Sequence, residues 1–258
     1  MINRAFLELI HRDLLMFRFD DLKAIINSMI WLFCTVIVSN YVLSAMGIQT
    51  GFGVFILVGS VASVSLFRCI HSIPGLLGDI EGEGAISYYL TLPMKQSMVF
   101  VRYAVSFAIK AAVISISVLI CSKLTMWQVF DFSHLSLFKY SIIFMVAHVF
   151  IGFFALLIAA YTPNMSYFEN VWSRVIFPMW FLGGYQFNWL TLYKQLPVLA
   201  YLNLFNPLTY ILEATRVAFL GQTGYLNFWV CVAMLLLFTG LAGVWGVKKF
   251  MQRLDCVR

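Results

Sequence analysis

The sequence predicts an all-α membrane protein with six transmembrane helices, an N-terminal interfacial amphipathic helix and a pair of re-entrant external half-helices before the last span. The first two observations behind this fold class concern composition. Hydrophobic residues make up 62% of the 258 residues and charged residues only 11%, against ~45–50% and ~25% in soluble domains. The third observation is that long uncharged stretches recur along the chain. A soluble globule of this size could not bury so much apolar surface.

The charge and the cysteines exclude further classes of protein. A net charge of +6 could indicate nucleic-acid binding, but cytoplasmic loops of membrane proteins are enriched in Lys and Arg as well, so we expect no nucleic-acid partner. The cysteines are scattered, without the spacing of a zinc site or of a disulfide framework. We therefore expect no metal site.

The first two spans come from one long apolar segment. Residues 24–67 carry no charge. This uncharged stretch is about twice as long as the ~20 residues that one crossing needs. The glycines of Met46–Gly53 predict the turn between two helices. We place the first helix at Ala24–Ala45 and the second at Val54–Ile73, where Pro74-Gly75 ends it.

Four further spans complete the predicted set. Each is an apolar block bounded by charges or by helix-breaking residues. In order, they are Ser97–Cys121, residues 140–168 with a break at Thr162-Pro163-Asn164, residues 175–193, and Leu226–Val247. An even number of spans places both termini on one side. Because most cations fall on that side, the positive-inside rule predicts a multi-pass protein with both termini in the cytoplasm.

Three segments that are not spans carry most of the functional information. Residues 1–22 repeat apolar residues at helical spacing and predict an interfacial helix. The alternative is an amphipathic segment that precedes the first span and has no role beyond topology. Residues 76–95 form an acidic cytoplasmic loop with a short helix before Pro93, which either docks a soluble partner or is only solvated. Residues 190–224 predict two short external helices, the second starting at Asn206-Pro207. On it, Glu213 and Arg216 are spaced to pair, unless this is an ordinary loop.

Charges inside spans face a cavity, a partner or the interface. Arg68 and Arg102 lie near the cytoplasmic ends of their helices and can snorkel. Lys110 is about halfway along its helix, so it either lines a path, pairs with another chain or snorkels. No catalytic signature is present, because the chain has no phosphate-binding glycine loop and no protease or hydrolase motif. We predict that the chain itself is not an enzyme.

The order of these parts resembles the permease subunits of bacterial type-2 ABC exporters. The match covers the whole chain, residues 1–258, as one transmembrane domain, and is strongest in the segment from Asn206 to Gly221, NPLTYILEATRVAFLG. The "TLP" step at Thr91-Leu92-Pro93 is a second point of likeness. No large external domain is present, which differs from the lipoprotein-release and macrolide exporters. Such permeases move drugs, lipids and lipid-linked polysaccharides out of the cell.

The resemblance implies partners and roles for particular residues. Two soluble ABC ATPase subunits would bind ATP and Mg²⁺, and a second permease copy, in a homodimer or a close heterodimer, would complete the path within the bacterial cytoplasmic (inner) membrane. The path would lie between spans one, two and five. The ATPase-coupling residues would be Asp79, Glu81, Glu83, Ser87, Tyr88 and Tyr89; the external motif Asn206, Pro207, Glu213 and Arg216; and the substrate path Trp31, Tyr41, Phe55, Lys110, Trp180 and Tyr185.

Two other functions stay open at this point. The chain could be a membrane anchor or assembly subunit that recruits an ATPase without transport, or an ion-coupled carrier. A carrier needs no docking loop for an ATPase, so the acidic loop argues against that class. For any single aromatic residue, core packing or the aromatic belt at the membrane interface is the alternative to a role in the path.

Overall fold

The computed structural model describes residues 2–15, 20–47, 51–80, 85–92, 95–125 and 134–255, and these residues contain helices but no β-strand. In chain order the main helices are α1 (Ile2–Leu15), α2 (Asp20–Ile37), α3 (Phe52–Ile70), α4 (Ile73–Gly78), α5 (Ala85–Leu90), α6 (Gln96–Thr125), α7 (Leu137–Tyr161), α8 (Trp189–Gln195), α9 (Pro197–Asn203), α10 (Pro207–Leu220) and α11 (Phe228–Asp255). A π-helical turn (Val38–Val42) and a last helical turn (Leu43–Ala45) continue α2 and are counted with it below, and a short 3₁₀ turn (Met165–Tyr167) follows α7. A helix of mixed type over residues 168–185, called the broken helix below, lies between α7 and α8.

Within the described residues, five helices are long and apolar enough to cross a membrane. They cover Leu22–Val42, Phe52–Gly78, Gln96–Leu124, Leu137–Tyr161 and Phe228–Arg253. The chain is therefore an all-helical, multi-pass membrane protein, as its composition predicts. These helices correspond to the predicted spans one, two, three, four and six.

The second span is longer than predicted. Pro74-Gly75 was expected to end it, but α4 continues the helical path of α3 to Gly78 after a turn at His71 and Ser72. The reason is that Pro74 stands in the first turn of α4. A proline costs little there, since the N–H that it lacks would have no partner within the helix.

The predicted span at residues 175–193 is not one regular helix. The broken helix starts earlier, at Phe168, and contains two π-helical turns, Trp172–Ile176 and Phe181–Tyr185. Pro178 follows the first of these turns, and a proline inside a helix removes a backbone donor and crowds the preceding turn. Gly184 ends the helix at φ 96°, a backbone conformation that favours glycine.

Both described chain ends lie at the same end of the helix bundle. Asp13 of α1 pairs with Arg102 at the start of α6, with 3.5 Å between the charged atoms. The Phe250 ring of α11 stacks on Phe100, also at the start of α6, with 4.9 Å between centroids. Near the end of α11, Arg253 donates a hydrogen bond of 2.7 Å to the carbonyl of Thr162. We call this the termini end.

The opposite end holds three short helices, α8 to α10, where the sequence predicts two, because Pro197 starts a new helix directly after α8. The Ser136 amide, just before α7, donates to the Ala218 carbonyl of α10 at 2.9 Å. The broken helix runs from the termini end towards the opposite end. Near its start, Trp172 packs on His71 with 5.7 Å between ring centroids, and at its finish the Tyr185 hydroxyl is 2.9 Å from that of Ser60. Because α3 runs from the opposite end towards the termini end, the broken helix runs antiparallel to it.

Small residues bring the long helices close together within one chain. Gly243 and Gly246 of α11 lie against α7, since a β-carbon on either would come within 3.3 Å of Phe153 or Leu157. A β-carbon on Gly152 of α7 would collide with the Ala104 carbonyl of α6. Small residues at these positions therefore let α6, α7 and α11 approach one another closely.

We expect Gly152→Ala to destabilise the protein by about 1–3 kcal/mol, the usual cost of overpacking a close contact. This lowers the melting temperature of the detergent-purified protein by roughly 2–4 °C per kcal/mol. Gly240→Ala is the matched control, because a β-carbon there meets nothing within 4 Å. Equal melting temperatures for the two variants would contradict the close packing of α6 on α7.

Candidate functional site

A groove runs along one side of the bundle between α2 and the broken helix, with α3 as its floor. Its upper part, towards the opposite end, is a cavity of about 540 Å³ lined by α2, α3 and the end of the broken helix. Its lower part, towards the termini end, is a cavity of about 350 Å³ between α2 and α3. Trp31 lines both cavities and marks the boundary between them.

Aromatic rings form the wall of this groove. The Trp31 ring stacks on Tyr185 at 6.2 Å between centroids and meets Phe67 edge-on at 5.9 Å. The ring centroid of Trp180 lies 4.5 Å from that of Tyr185 and 5.1 Å from that of Phe67. Such packing holds each ring in place and contributes about 0.5–1.5 kcal/mol per pair beyond the area that is buried.

The groove also contains polar groups at spaced intervals. The Trp180 Nε1 donates to the Ser63 hydroxyl at 2.8 Å, and the Tyr185 and Ser60 hydroxyls are hydrogen-bonded at 2.9 Å. Further polar side chains line the two cavities; they are Thr35, Ser39 and Gln186 above Trp31, and Asn27, Ser28, Arg68 and His71 below it. The arrangement of rings and spaced polar groups suits an amphipathic molecule better than an ion.

The structure brings some of the predicted path residues together and leaves others apart. Trp31, Trp180 and Tyr185 are in mutual contact in the groove wall. Phe55 lies beside them but lines neither groove cavity, because its ring is covered by Arg216, whose Cζ is 3.5 Å from the ring centroid. Tyr41 is 62% exposed and outside both cavities. Lys110, half-buried on α6, lines neither cavity.

The external motif begins with an N-cap. Asn206 accepts a hydrogen bond from the Leu208 amide at 3.0 Å, and Pro207 takes the first helical position of α10. The Asn206 Nδ2 also donates to the Met179 carbonyl at 2.6 Å. Met179 lies in the broken helix next to Pro178, which removes one backbone donor from that helix. Asn206 therefore caps α10 and also links it to the broken helix.

Glu213 and Arg216 do not form a salt bridge with each other within the described structure, contrary to the pairing that their spacing suggests. Glu213 instead accepts from the backbone amides of Trp189 at 2.8 Å and Leu226 at 2.9 Å. These amides lie at the start of α8 and in the link to α11. The carboxylate satisfies the Trp189 amide, which lacks a partner within its own helix, and the Leu226 amide, which lies outside any helix.

Arg216 binds backbone carbonyls, whereas Glu213 binds backbone amides. Its guanidinium donates to the carbonyls of Gly184 and Tyr185, both at 2.7 Å, and of Phe187 at 3.2 Å. These carbonyls are left without helical donors where Gly184 ends the broken helix. Gly59 of α3 provides the space, because a β-carbon there would be 2.9 Å from the guanidinium. The buried motif therefore fixes the ends of three neighbouring segments.

A second charged cluster, called the inner cluster, lies at the termini end. Arg102 is almost completely buried between the rings of Tyr89 and Tyr103, with its Cζ 4.2 and 4.3 Å from their centroids. It also pairs with Asp13. Arg12 donates to the Tyr89 hydroxyl, and this hydrogen bond raises the pKa of the arginine above its ordinary value. The cluster therefore joins α1, α5 and α6.

The predicted coupling residues are placed only in part. Tyr88 is exposed on α5, and Tyr89 is buried in the inner cluster. The Asp79 carboxylate accepts a hydrogen bond from the Tyr103 hydroxyl at 3.1 Å. Glu81, Glu83 and the side chain of Ser87 lie outside the described residues.

Sequence reasoning missed the inner cluster, since it treated Arg102 as a snorkelling residue. Leu9 of α1 is buried against the core. An arginine just inside a span, with acids and tyrosines in the flanking segments, was the available signal. It could not show which of those partners would meet.

Comparison with protein-family models, with curated proteins and with solved structures finds no match for this chain. The described residues contain no group of three His, Cys, Asp or Glu side chains that could hold a metal ion. Function must therefore be inferred from the groove, the external motif and the inner cluster.

Proposed function

We propose that this chain is the transmembrane permease subunit of an ATP-driven type-2 ABC exporter. It moves an amphipathic substrate, such as a drug, a lipid or a lipid-linked glycan, outward across the bacterial cytoplasmic membrane. The observation that carries this proposal is the aromatic and polar groove between α2, α3 and the broken helix. This is the position that the sequence resemblance assigns to the substrate path.

The proposal includes six crossings with both termini in the cytoplasm. The crossing that the five long helices do not supply is assigned to residues 168–185, which run antiparallel to α3. The broken helix supplies the sixth crossing, which agrees with the two chain ends lying at one end of the bundle. The helices α8 to α10 then form the external half-helices.

The coupling to ATP hydrolysis is assigned to the termini end. Two soluble ATPase subunits bind ATP and Mg²⁺, and this chain supplies the docking element, α5 with the acidic loop before it. Tyr88 faces outward for contact with an ATPase, while Tyr89 connects α5 to α1 and α6 through the inner cluster. A displacement of α5 is thereby passed to α6, because Arg102 and Tyr103 are held against Tyr89.

A second permease copy closes the groove. Val38 is exposed and lines the upper cavity, and further apolar side chains of the first span and of the broken helix are exposed, among them Ile30, Phe33, Phe177 and Phe181. A homodimer with its two grooves facing one another would enclose a path. ATP binding would alter that path only to the extent that it favours one arrangement of the dimer over another.

The test is affinity purification of the tagged chain from native membranes in mild detergent, with mass spectrometry of the proteins retained. We expect a soluble P-loop ATPase in equal amount. Tyr88→Ala should reduce the retained ATPase strongly, because it removes an exposed ring from the docking helix. Tyr41→Ala is the matched control, since this tyrosine is equally exposed, at 62%, at the other end of the bundle.

A chain that purifies without any ATPase, with nucleotide present, would contradict the exporter proposal and favour an ion-coupled carrier. Retention of the ATPase by the Tyr88→Ala variant at the wild-type level would instead place the docking surface elsewhere. The two results separate the function of the complex from the role of α5.

The topology gives a further prediction. In intact cells, a membrane-impermeant amine reagent should modify Lys194, which is exposed on α8. It should modify Lys248, exposed near the end of α11, only after permeabilisation. Peptide mass spectrometry reads both sites in one sample. The reverse pattern of labelling would invert the proposed orientation.

A further inference from the structure

A lysine lies at the centre of a membrane span, away from the groove. Lys110 is the middle residue of Gln96–Leu124, the span that α6 provides. Its side chain is half-buried and lines neither cavity of the groove. A charged side chain at the centre of a bilayer is costly, and such residues normally pair with an opposite charge or face a water-filled cavity. Because neither groove cavity reaches Lys110, the lysine needs a counter-charge.

Contacts between the spans fix this depth independently. Ser65 is the middle residue of the second span, and its hydroxyl is 2.9 Å from the Nε2 of His148, close to the middle of α7. The Ser115 hydroxyl of α6 donates to the Val61 carbonyl at 3.3 Å. Ser115 and Val61 each lie about one helical turn nearer the opposite end than Lys110 and Ser65 do. The middle residues of three spans therefore share one level, which is the centre of the bilayer.

Lys110 finds no counter-charge in its own chain. Within the described structure it makes no hydrogen bond and no ion pair, and its ammonium group is accessible at the surface of α6. None of the five long spans contains Asp or Glu, and Glu169 of the broken helix stands near its start, at the termini end. The four-carbon stem of lysine is also much shorter than half of the ~30 Å hydrocarbon core. The ammonium group therefore does not reach the lipid headgroups.

Lys110 belongs to an exposed face of α6. Val113, Ile120 and Leu124 are 39%, 55% and 74% exposed. Together with Lys110 and Ser117 they follow a spacing of alternately three and four residues, which is the pattern by which one helix packs along another. Ser117 is small, and its hydroxyl is satisfied by the Val113 carbonyl of its own helix, so a neighbouring backbone can approach closely. We call these five residues the α6 face. Lipid chains would suit its apolar members but not its lysine.

We propose that the α6 face binds a transmembrane helix of a different membrane protein, and that an Asp or Glu near the centre of that helix pairs with the Lys110 ammonium group. Within hydrocarbon each charge reduces the cost of the other, which is why intramembrane charges pair. A second copy of this chain has no acid at this depth in its long spans, and a lipid phosphate stays at the bilayer surface. The proposal requires only that α6 spans a membrane, so it is independent of the transport proposal.

A synthetic peptide tests the charge pair without knowledge of the natural partner. The full-length chain, with the photo-reactive amino acid benzoylphenylalanine in place of Ile120, is reconstituted in phosphatidylcholine vesicles with a transmembrane peptide of leucine and alanine that has one central Asp. We expect about five- to tenfold more cross-linking to this peptide than to one with a central Leu, as for one strong interhelical contact. The matched control replaces Leu237, equally exposed at 55% on α11, and should not distinguish the two peptides. Equal cross-linking of both peptides at Ile120 would overturn the proposal.

Variants of the lysine show whether its charge carries the interaction. Lys110→Leu should lower cross-linking of the Asp peptide to the level of the Leu peptide, whereas Lys110→Arg, which keeps the positive charge, should retain most of it. Lys248→Leu is the control, since Lys248 is exposed near the end of α11 and outside the α6 face. A melting curve shows that each variant is folded, and leucine is favourable in hydrocarbon. Unchanged cross-linking of the Lys110→Leu variant would overturn the charge pair.

Native membranes test the partner itself. Photo-cross-linking at Ile120, but not at Leu237, should capture a membrane protein that has Asp or Glu near the middle of a span. Exchanging the charges, with Lys110→Asp in this chain and a lysine in place of the acid in the captured protein, should restore the cross-link that either change alone removes. A cross-link only to lipid, to a second copy of this chain or to a protein without such an acid would overturn the proposal. Failure of the charge exchange to restore the cross-link would do the same.

Discussion

Replacing Arg216 with alanine is expected to cost the protein at least about 3 kcal/mol, since two short charge-assisted hydrogen bonds of about 1.5 kcal/mol or more each are lost. The carbonyls of Gly184 and Tyr185, at 2.7 Å from the guanidinium, would lose their donors while remaining buried. The melting temperature in detergent should fall by roughly 6–12 °C. Arg174→Ala, at an exposed arginine of the broken helix, should change it by less than about 2 °C.

A third variant separates charge from geometry. Arg216→Lys keeps the positive charge but replaces a planar fork that reaches three carbonyls with a single ammonium group. We expect it to recover only part of the lost stability. Full recovery would mean that the buried charge over Phe55 matters more than the hydrogen bonds. A melting temperature for Arg216→Ala close to that of Arg174→Ala would contradict the structural role of the motif.

Much of the fold could be predicted because apolar length is a strong signal. The uncharged run of residues 24–67 is too long for one crossing and too short for three, and the structure places α2 and α3 there. The start of α10 was equally accessible, because Asn206 and Pro207 are residues that begin helices for local reasons. Both signals depend only on neighbours in the sequence.

The features that could not be predicted depend on distant residues. Glu213 and Arg216 are close in sequence and opposite in charge, so local rules pair them, but each finds backbone groups near residue 185 or 226. Arg102 is buried because Asp13, Tyr89 and Tyr103 meet around it. No periodicity in the sequence contains that information. The same holds for the broken helix, whose π-turns follow from Pro178 and from its packing on α3.

The external motif and the groove are physically connected. Tyr185 belongs to the groove wall through its contacts with Trp31 and Trp180, and its carbonyl is held by Arg216. The broken helix therefore has its second π-turn, Phe181–Tyr185, fixed to α10, while its first π-turn, Trp172–Ile176, is a site where a helix can change its winding. In the proposed exporter, this places the adaptable part of the wall along the groove and its anchor at the outer end.

The groove contains a native reporter, Cys34, and its modification is expected to stop ATP hydrolysis by the exporter complex. Cys34 is exposed and lines the upper cavity of about 540 Å³. A bulky maleimide attached there would occupy the space that must change shape in each cycle. Because thiols react as thiolates, which require water, rapid labelling would itself indicate that the groove is hydrated. The measurement is the ATPase rate of the co-purified complex before and after treatment.

The decisive comparison is with the Cys34→Ala complex, in which every other cysteine of the chain and of the ATPase is retained. We expect this complex to keep most of its activity after the same treatment, and a methyl-sized thiol reagent to inhibit the wild-type complex far less than the bulky one. Such dependence on size follows from a cavity that can hold a small group and still close. Equal inhibition of both complexes would place the sensitive thiol elsewhere. Complete labelling of Cys34 with no change in rate would mean that the groove is not the path of transport.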